Sequence, residues 1–163
     1  MNQQQLFVQM ALHSWNTQVA RAEKIFNGFT ETELYTPVAP GKNRILYLYG
    51  HLAVYHDLLK ETLGLGKFTR PELAAVFLQS PDNPGDTTLS PAELKEYWGS
   101  IHNELKELFT NLPAEEWFKR HNAMTDEDFE KDPSRNRLSV VLNRANHIAY
   151  HIGQIILVKP TNN

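Results

Sequence analysis

The sequence contains no cysteine. That excludes thiolate metal ligands, a protein thiol nucleophile and disulfides, and it suits a reducing compartment. Long apolar runs are also missing. Nowhere do 18 apolar residues follow one another, so no membrane-spanning segment is expected. The opening residues, Met1-Asn2-Gln3-Gln4-Gln5, supply neither a basic stretch nor an apolar one, and do not read as a signal peptide. A cytoplasmic location is therefore the expectation. Charge is scarce in one sense too: the net value is −3 and the signs are mixed along the chain. With no basic run to follow a phosphate backbone, nucleic acid is not an expected partner. Internal repeats and low-complexity tracts are absent.

What is present describes an ordinary globular chain. Hydrophobic residues make up 41% and charged residues 21% of 163, outside the range of disordered sequences. The length predicts one domain over residues 1–163. A domain of that size buries about 70% of the surface its unfolded chain exposes.

Punctuation by proline and glycine divides the chain into four long segments. From about Gln4 to Asn27, apolar residues Leu6, Met10, Trp15, Val19, Ala22 and Phe26 recur at helical spacing, and Asn27-Gly28 ends the segment. Thr30 to Leu34 has a capping-box start and breaks at Pro37 and Pro40-Gly41. The second segment, about Asn43 to Leu63, carries the stripe Ile45, Leu48, Leu52, Tyr55 and Leu59. Residues 67–89 read as a long crossover with one helical turn near Pro71 to Leu78. Ser90-Pro91-Ala92-Glu93 opens the third helix with an N-cap, a first-turn proline and a capping-box glutamate; it continues to about Asn111. Residues 113–134 are polar. The last helix runs from about Ser134 to Val158, ended by Pro160, with a broad apolar face including Leu138, Val141, Leu142, Ala145, Ile148, Ile152, Ile155 and Ile156. The fold class is all-α, a four-helix bundle with long crossover loops.

Seven histidines occur: His13, His51, His56, His102, His121, His147 and His151. His147 and His151 are four residues apart, so both imidazoles leave one side of one helix about a turn apart. That spacing offers two nitrogens to one metal. The glutamate base of the helical zinc-protease motif is missing between them. On a helical wheel the pair lies beside the apolar stripe, so it faces a neighbouring helix or a cleft. A third ligand must come from elsewhere. His51 and His56 lie on opposite shoulders of the second helix's stripe, and periodicity does not choose between them. His13 and His102 are further donors in principle.

The string Asn146-His147-Ile148-Ala149-Tyr150-His151-Ile152-Gly153-Gln154 resembles the H-x3-H-x-G-Q signature of the DinB-like superfamily (the DinB/YfiT group). Its members are four-helix bundles with a three-histidine metal site. Their second hallmark is a helix entered after a proline-glycine loop and carrying a single histidine, and Pro40-Gly41 through His51-Leu52 fits it. The resemblance thus assigns the metal ligands to His51, His147 and His151 and leaves His56 outside. It covers nearly the whole chain. The sequence departs from the usual pattern at Lys42-Asn43-Arg44, where many relatives have a tryptophan and then a serine or threonine. Asn43 can still cap the second helix, and the surface at the site entrance is expected to differ.

Three neutral imidazoles leave a divalent metal its full charge and an open position, as in catalytic sites. Nickel or zinc is the expected ion, although imidazole also suits copper and iron. Some members of the family are transferases or isomerases that use low-molecular-weight thiols such as bacillithiol or mycothiol. The resemblance therefore implies a metal-dependent transferase or hydrolase acting with a thiol cosubstrate. The alternative is a non-enzymatic structural or stress-response bundle in which the metal is a staple. Gln154, Tyr47, Tyr55 and Asp57 are candidate orienting groups, and no catalytic residue is assigned. Trp15, Tyr97 and Trp98 either fill the core or form the face of a homodimer.

Overall fold

The computed structural model describes residues 2–86 and 88–158. Six helices follow in order: α1 Gln3–Asn27, α2 Ile45–Leu63, α3 Ala74–Phe77, α4 Pro91–Asn111, α5 Asp126–Lys131 and α6 Arg137–Ile155. The four long ones form the bundle that the periodicity predicts. Helix α1 packs on α6, and α2 packs on both α4 and α6. Among the described residues there is no strand. Pro160 lies outside them.

The helix ends follow local chemistry. At α1 the Asn2 side chain accepts from the Gln5 N–H at 2.9 Å, and Gln5 returns a bond to the Asn2 N–H at 2.8 Å. Ser90 and Glu93 close the expected capping box on α4. Gly64 ends α2 at φ 70°, a left-handed conformation that a side chain would strain. Two expectations are corrected. Helix α2 starts at Ile45, with Arg44 at the cap position, and Asn43 does not cap it. No side chain caps α2; Asp82 of the crossover instead holds the cap residue, accepting from the Arg44 N–H at 2.7 Å and pairing with its guanidinium at 2.6 Å. Helix α6 starts at Arg137, three residues later than predicted, because Asn136 caps it through the Ser139 N–H at 3.0 Å.

The two helices that carry the candidate ligands are anchored alike. A short 3-10 turn, Glu33–Tyr35, precedes α2, and another, Ala114–Phe118, precedes α6. Each is followed by one antiparallel bridge, Pro37 to Arg44 and Arg120 to Asn136. The Thr36 carbonyl accepts from the Ile45 N–H and the Lys119 carbonyl from the Arg137 N–H, both at 3.0 Å. The second 3-10 turn and α5 lie where the sequence read as a polar loop. Thr125 caps α5, and Trp117 is fully buried against Phe109.

The core is continuous through all four long helices. Trp15, Tyr97 and Trp98 belong to it, so they do not form a surface face. The stripe prediction fails at two helix edges. Leu6 and Met10 of α1 are exposed, with Val8 and Ala11 buried instead, and Leu142 of α6 and Ile156 just past its end are exposed.

The crossover is tied down by a buried carboxylate. Asp57 accepts from the Tyr97 hydroxyl at 2.7 Å, from the Thr69 and Arg70 N–H groups at 3.1 and 3.0 Å, and pairs with Lys60 at 2.9 Å. Burial alone would push its carboxyl up, but these donors outweigh it and hold the group below its usual range. This satisfies a charge that would otherwise be costly to bury. The result for the site is that α3 lands on α2 at Gly50. A Cβ there would overlap the Phe77 ring, so glycine is what lets Phe77 approach.

Candidate metal centre

His51 on α2 and His147 and His151 on α6 come together at the α2–α6 seam. The His147 Nε2 lies 3.2 Å from the His51 Nε2 and 3.0 Å from the His151 Nε2. Metal–nitrogen bonds of about 2.1 Å, at angles between tetrahedral and octahedral, place neighbouring nitrogens roughly 3.0–3.4 Å apart. Both contacts of His147 have that spacing, and the ligand atoms of all three rings lie within 4.8 Å of one another.

The second ring nitrogens decide where the lone pairs point. His51 Nδ1 is 2.7 Å from the Phe77 carbonyl oxygen. A carbonyl only accepts, so the neutral ring carries its proton on Nδ1 and its lone pair on Nε2. His151 Nδ1 is 2.9 Å from the Gln154 Oε1, which fixes the same tautomer. Two lone pairs therefore converge on the Nε2 of His147. One proton on that atom can serve only one of them, whereas a cation serves all three. This is the orientation that ligand histidines need from their outer contacts. The His147 Nδ1 is buried without a protein partner. The donor set fits a divalent metal ion.

Burial favours the neutral, ligating form. It is the largest cause of the lowered pKa at all three rings. At His147, to which the charges of His151, His51 and Arg144 also contribute, the value is pushed down to about 3.

The other sequence candidates sort clearly. His56 is fully buried and its Nδ1 meets the His102 Nε2 at 3.0 Å, away from the cluster. His13 is exposed on α1, outside it. Gln154 orients His151. Tyr47 donates its hydroxyl to the Ser80 carbonyl at 2.5 Å and lays its ring beside His51. The Tyr55 ring stands edge-on to His51 and His147, 4.9 and 5.2 Å away between centroids. Asp57 is a crossover anchor. Two participants escape sequence reasoning: the Phe77 carbonyl, which carries no sequence signal, and Arg144, whose place one turn before His147 was a signal available in the spacing. An open groove of about 400 Å³ reaches His151 and Gln154, with Leu48 and Tyr150 among its walls and Lys42 and Asn43 also lining it.

An α-helical bundle whose seam gathers three imidazoles by their Nε2 atoms defines a class of candidate metal-binding helical proteins. The DinB superfamily profile matches residues 15–155, and the chain belongs to that family. A solved structure, a conserved protein from Enterococcus faecalis, aligns over 97% of this chain and 98% of its own at 19% identity, with a TM-score of 0.59. That likeness concerns the fold. No curated protein matches the chain. Among the described residues no helix is long and apolar enough to cross a membrane.

Proposed function

We propose that the chain binds a divalent metal ion, nickel or zinc, through the Nε2 atoms of His51, His147 and His151, and works as a metal-dependent transferase or hydrolase with a low-molecular-weight thiol. The observation that carries the reading is the tautomer set: the Phe77 carbonyl and Gln154 Oε1 hold the Nδ1 protons of His51 and His151, which turns both Nε2 lone pairs onto His147. When bound at three neutral nitrogens, such an ion supplies Lewis acidity, which lowers the pKa of a thiol or water held beside it. The protein's own part is to position. His147 and His151 are fixed by one helix turn, and His51 is fixed by the crossover. Tyr55 covers the His51 and His147 rings on one side. The groove beside His151 and Gln154 admits a small molecule.

The absence of a protein thiol agrees with a nucleophile that arrives on the cosubstrate. A second reading has its own support: the three ligands join α2 to α6, so a bound ion would cross-link two bundle helices and act as a staple. Elemental analysis of untagged protein is expected to find about one divalent ion per chain, and His51→Ala is expected to abolish uptake. Activity of the loaded protein with a panel of thiols and electrophiles then separates enzyme from staple. A large fall in melting temperature on chelation, with no thiol-dependent turnover, would sink the enzyme reading.

A further inference from the structure

Arg144 stands one turn before His147 on α6. Positions 144, 147 and 151 are spaced by three and four, so the three side chains form one stripe. Arg144 is half-buried. The other arginines that the fold partly covers each have a carboxylate: Arg44 pairs with Asp82, Arg70 with Glu72, Arg120 with Asp126 and Arg137 with Glu116. Among the described residues Arg144 has no ion pair and no hydrogen bond. Its guanidinium lies over the Tyr55 ring, 4.6 Å from the centroid, and that ring stands edge-on to His51 and His147.

A partly desolvated cation without an anion is costly, and stacking on an aromatic face offsets only part of that cost. The charge is held one aromatic ring away from His51 and His147. The guanidinium's planar fork matches a carboxylate at two points. We propose that Arg144 is the anion receptor of this site, binding the carboxylate of a small substrate whose thiol is held at His51, His147 and His151. This rests on the reading of those histidines as a metal centre.

The test compares 3-mercaptopropionate with its uncharged analogue 3-mercapto-1-propanol on cobalt-loaded protein, followed by the thiolate absorption band. A charged hydrogen-bonded contact predicts that the acid binds about tenfold more tightly than the alcohol. In Arg144→Gln that ratio falls towards unity while cobalt content and affinity for the alcohol stay unchanged. Arg144→Lys keeps a charge but loses the fork and lowers the ratio in part, which covers the case of a glutamine variant that does not fold. A ratio that survives both substitutions overturns the proposal, since chelation by the metal alone then accounts for it. Metal content is measured first, so failure of the metal reading is seen separately. In that event the metal-free protein decides: titration with propionate is expected to shift the Arg144 Nε–Hε resonance saturably, and a resonance that does not move overturns the proposal.

Discussion

Two groups of histidines sit within one bundle and use the same side chain in opposite ways. At His51, His147 and His151, oxygen acceptors hold two of the Nδ1 protons, and lone pairs converge at the Nε2 atoms. At His56 and His102, donor meets acceptor. The His102 Nδ1–H bonds the Trp98 carbonyl at 2.8 Å, so its Nε2 is free to accept from the His56 Nδ1–H at 3.0 Å. Trp15 and Trp98 enclose that second pair, with Trp98 only 4.1 Å from His102 between ring centroids. The first group has unresolved lone pairs and lies beside a groove. The second is bonded ring to ring and closed off, and it leaves only the buried His56 Nε2 without a partner. Burial and tautomer, rather than residue type, separate a ligand-like cluster from a structural pair.

The comparison breaks most sharply on metal content. Replacing His51, His147 or His151 with alanine is expected to take uptake from about one equivalent to near zero, whereas His102→Leu is expected to leave it intact; elemental analysis of dialysed protein reads both. Stability reverses the rank of the two groups. His56→Ala leaves a core void between two tryptophans and strands the His102 Nε2, at a cost of roughly 2–4 kcal/mol. Denaturant unfolding of the metal-free proteins checks this, and a loss no greater than that of His151→Ala would contradict the structural assignment.

Gly50 links the crossover to the metal cluster. In Gly50→Ala the Phe77 ring must move, which is expected to displace the carbonyl that orients His51. Metal affinity is expected to fall about 10- to 100-fold, as for other outer contacts of metal ligands. Competition with a chelator of known affinity measures it, and an unchanged affinity would mean that Phe77 does not set the His51 ring. Gln154→Ala removes the equivalent contact on His151 and is expected to act in the same direction at the lower end of that range, about tenfold.

Acid sharpens the contrast in the metal-free protein. Burial pushes the His102 pKa from 6.5 down to about 4, against a smaller opposing effect from the Trp98 carbonyl. The unfolded chain therefore binds a proton in that window while the folded one does not. The stability this residue contributes is complete above pH 6.5 and drains away as pH falls towards 4. Unfolding free energy measured across this range is expected to fall with acid in the wild type. The slope is expected to be shallower in His102→Leu.

Much of this was legible because it is local. The i, i+4 spacing of His147 and His151 puts both rings on one side of a helix whatever the rest of the chain does. Ser90 and Glu93 announce the start of α4 for the same reason. The choice of His51 over His56 was not local, since both flank the stripe of α2. Family resemblance pointed to His51, and the geometry gathers it with the α6 pair. The 3-10 turn at Ala114–Phe118 was missed because one buried tryptophan in a polar stretch has no period.

Four amphipathic helices, the stop at Gly28, the cap at Ser90 and a pair of imidazoles one turn apart can be read from the residues alone. These follow from hydrogen bonding and side-chain periodicity within a few residues. Packing decides the rest. It binds Arg44 to Asp82, sets the Phe77 carbonyl on His51 through the gap at Gly50, pairs His56 with His102, and leaves Arg144 stacked on Tyr55 without a carboxylate. Those are contacts between residues far apart in the chain. Their partners are chosen by which faces the packed helices bring together, and no spacing along the sequence encodes that.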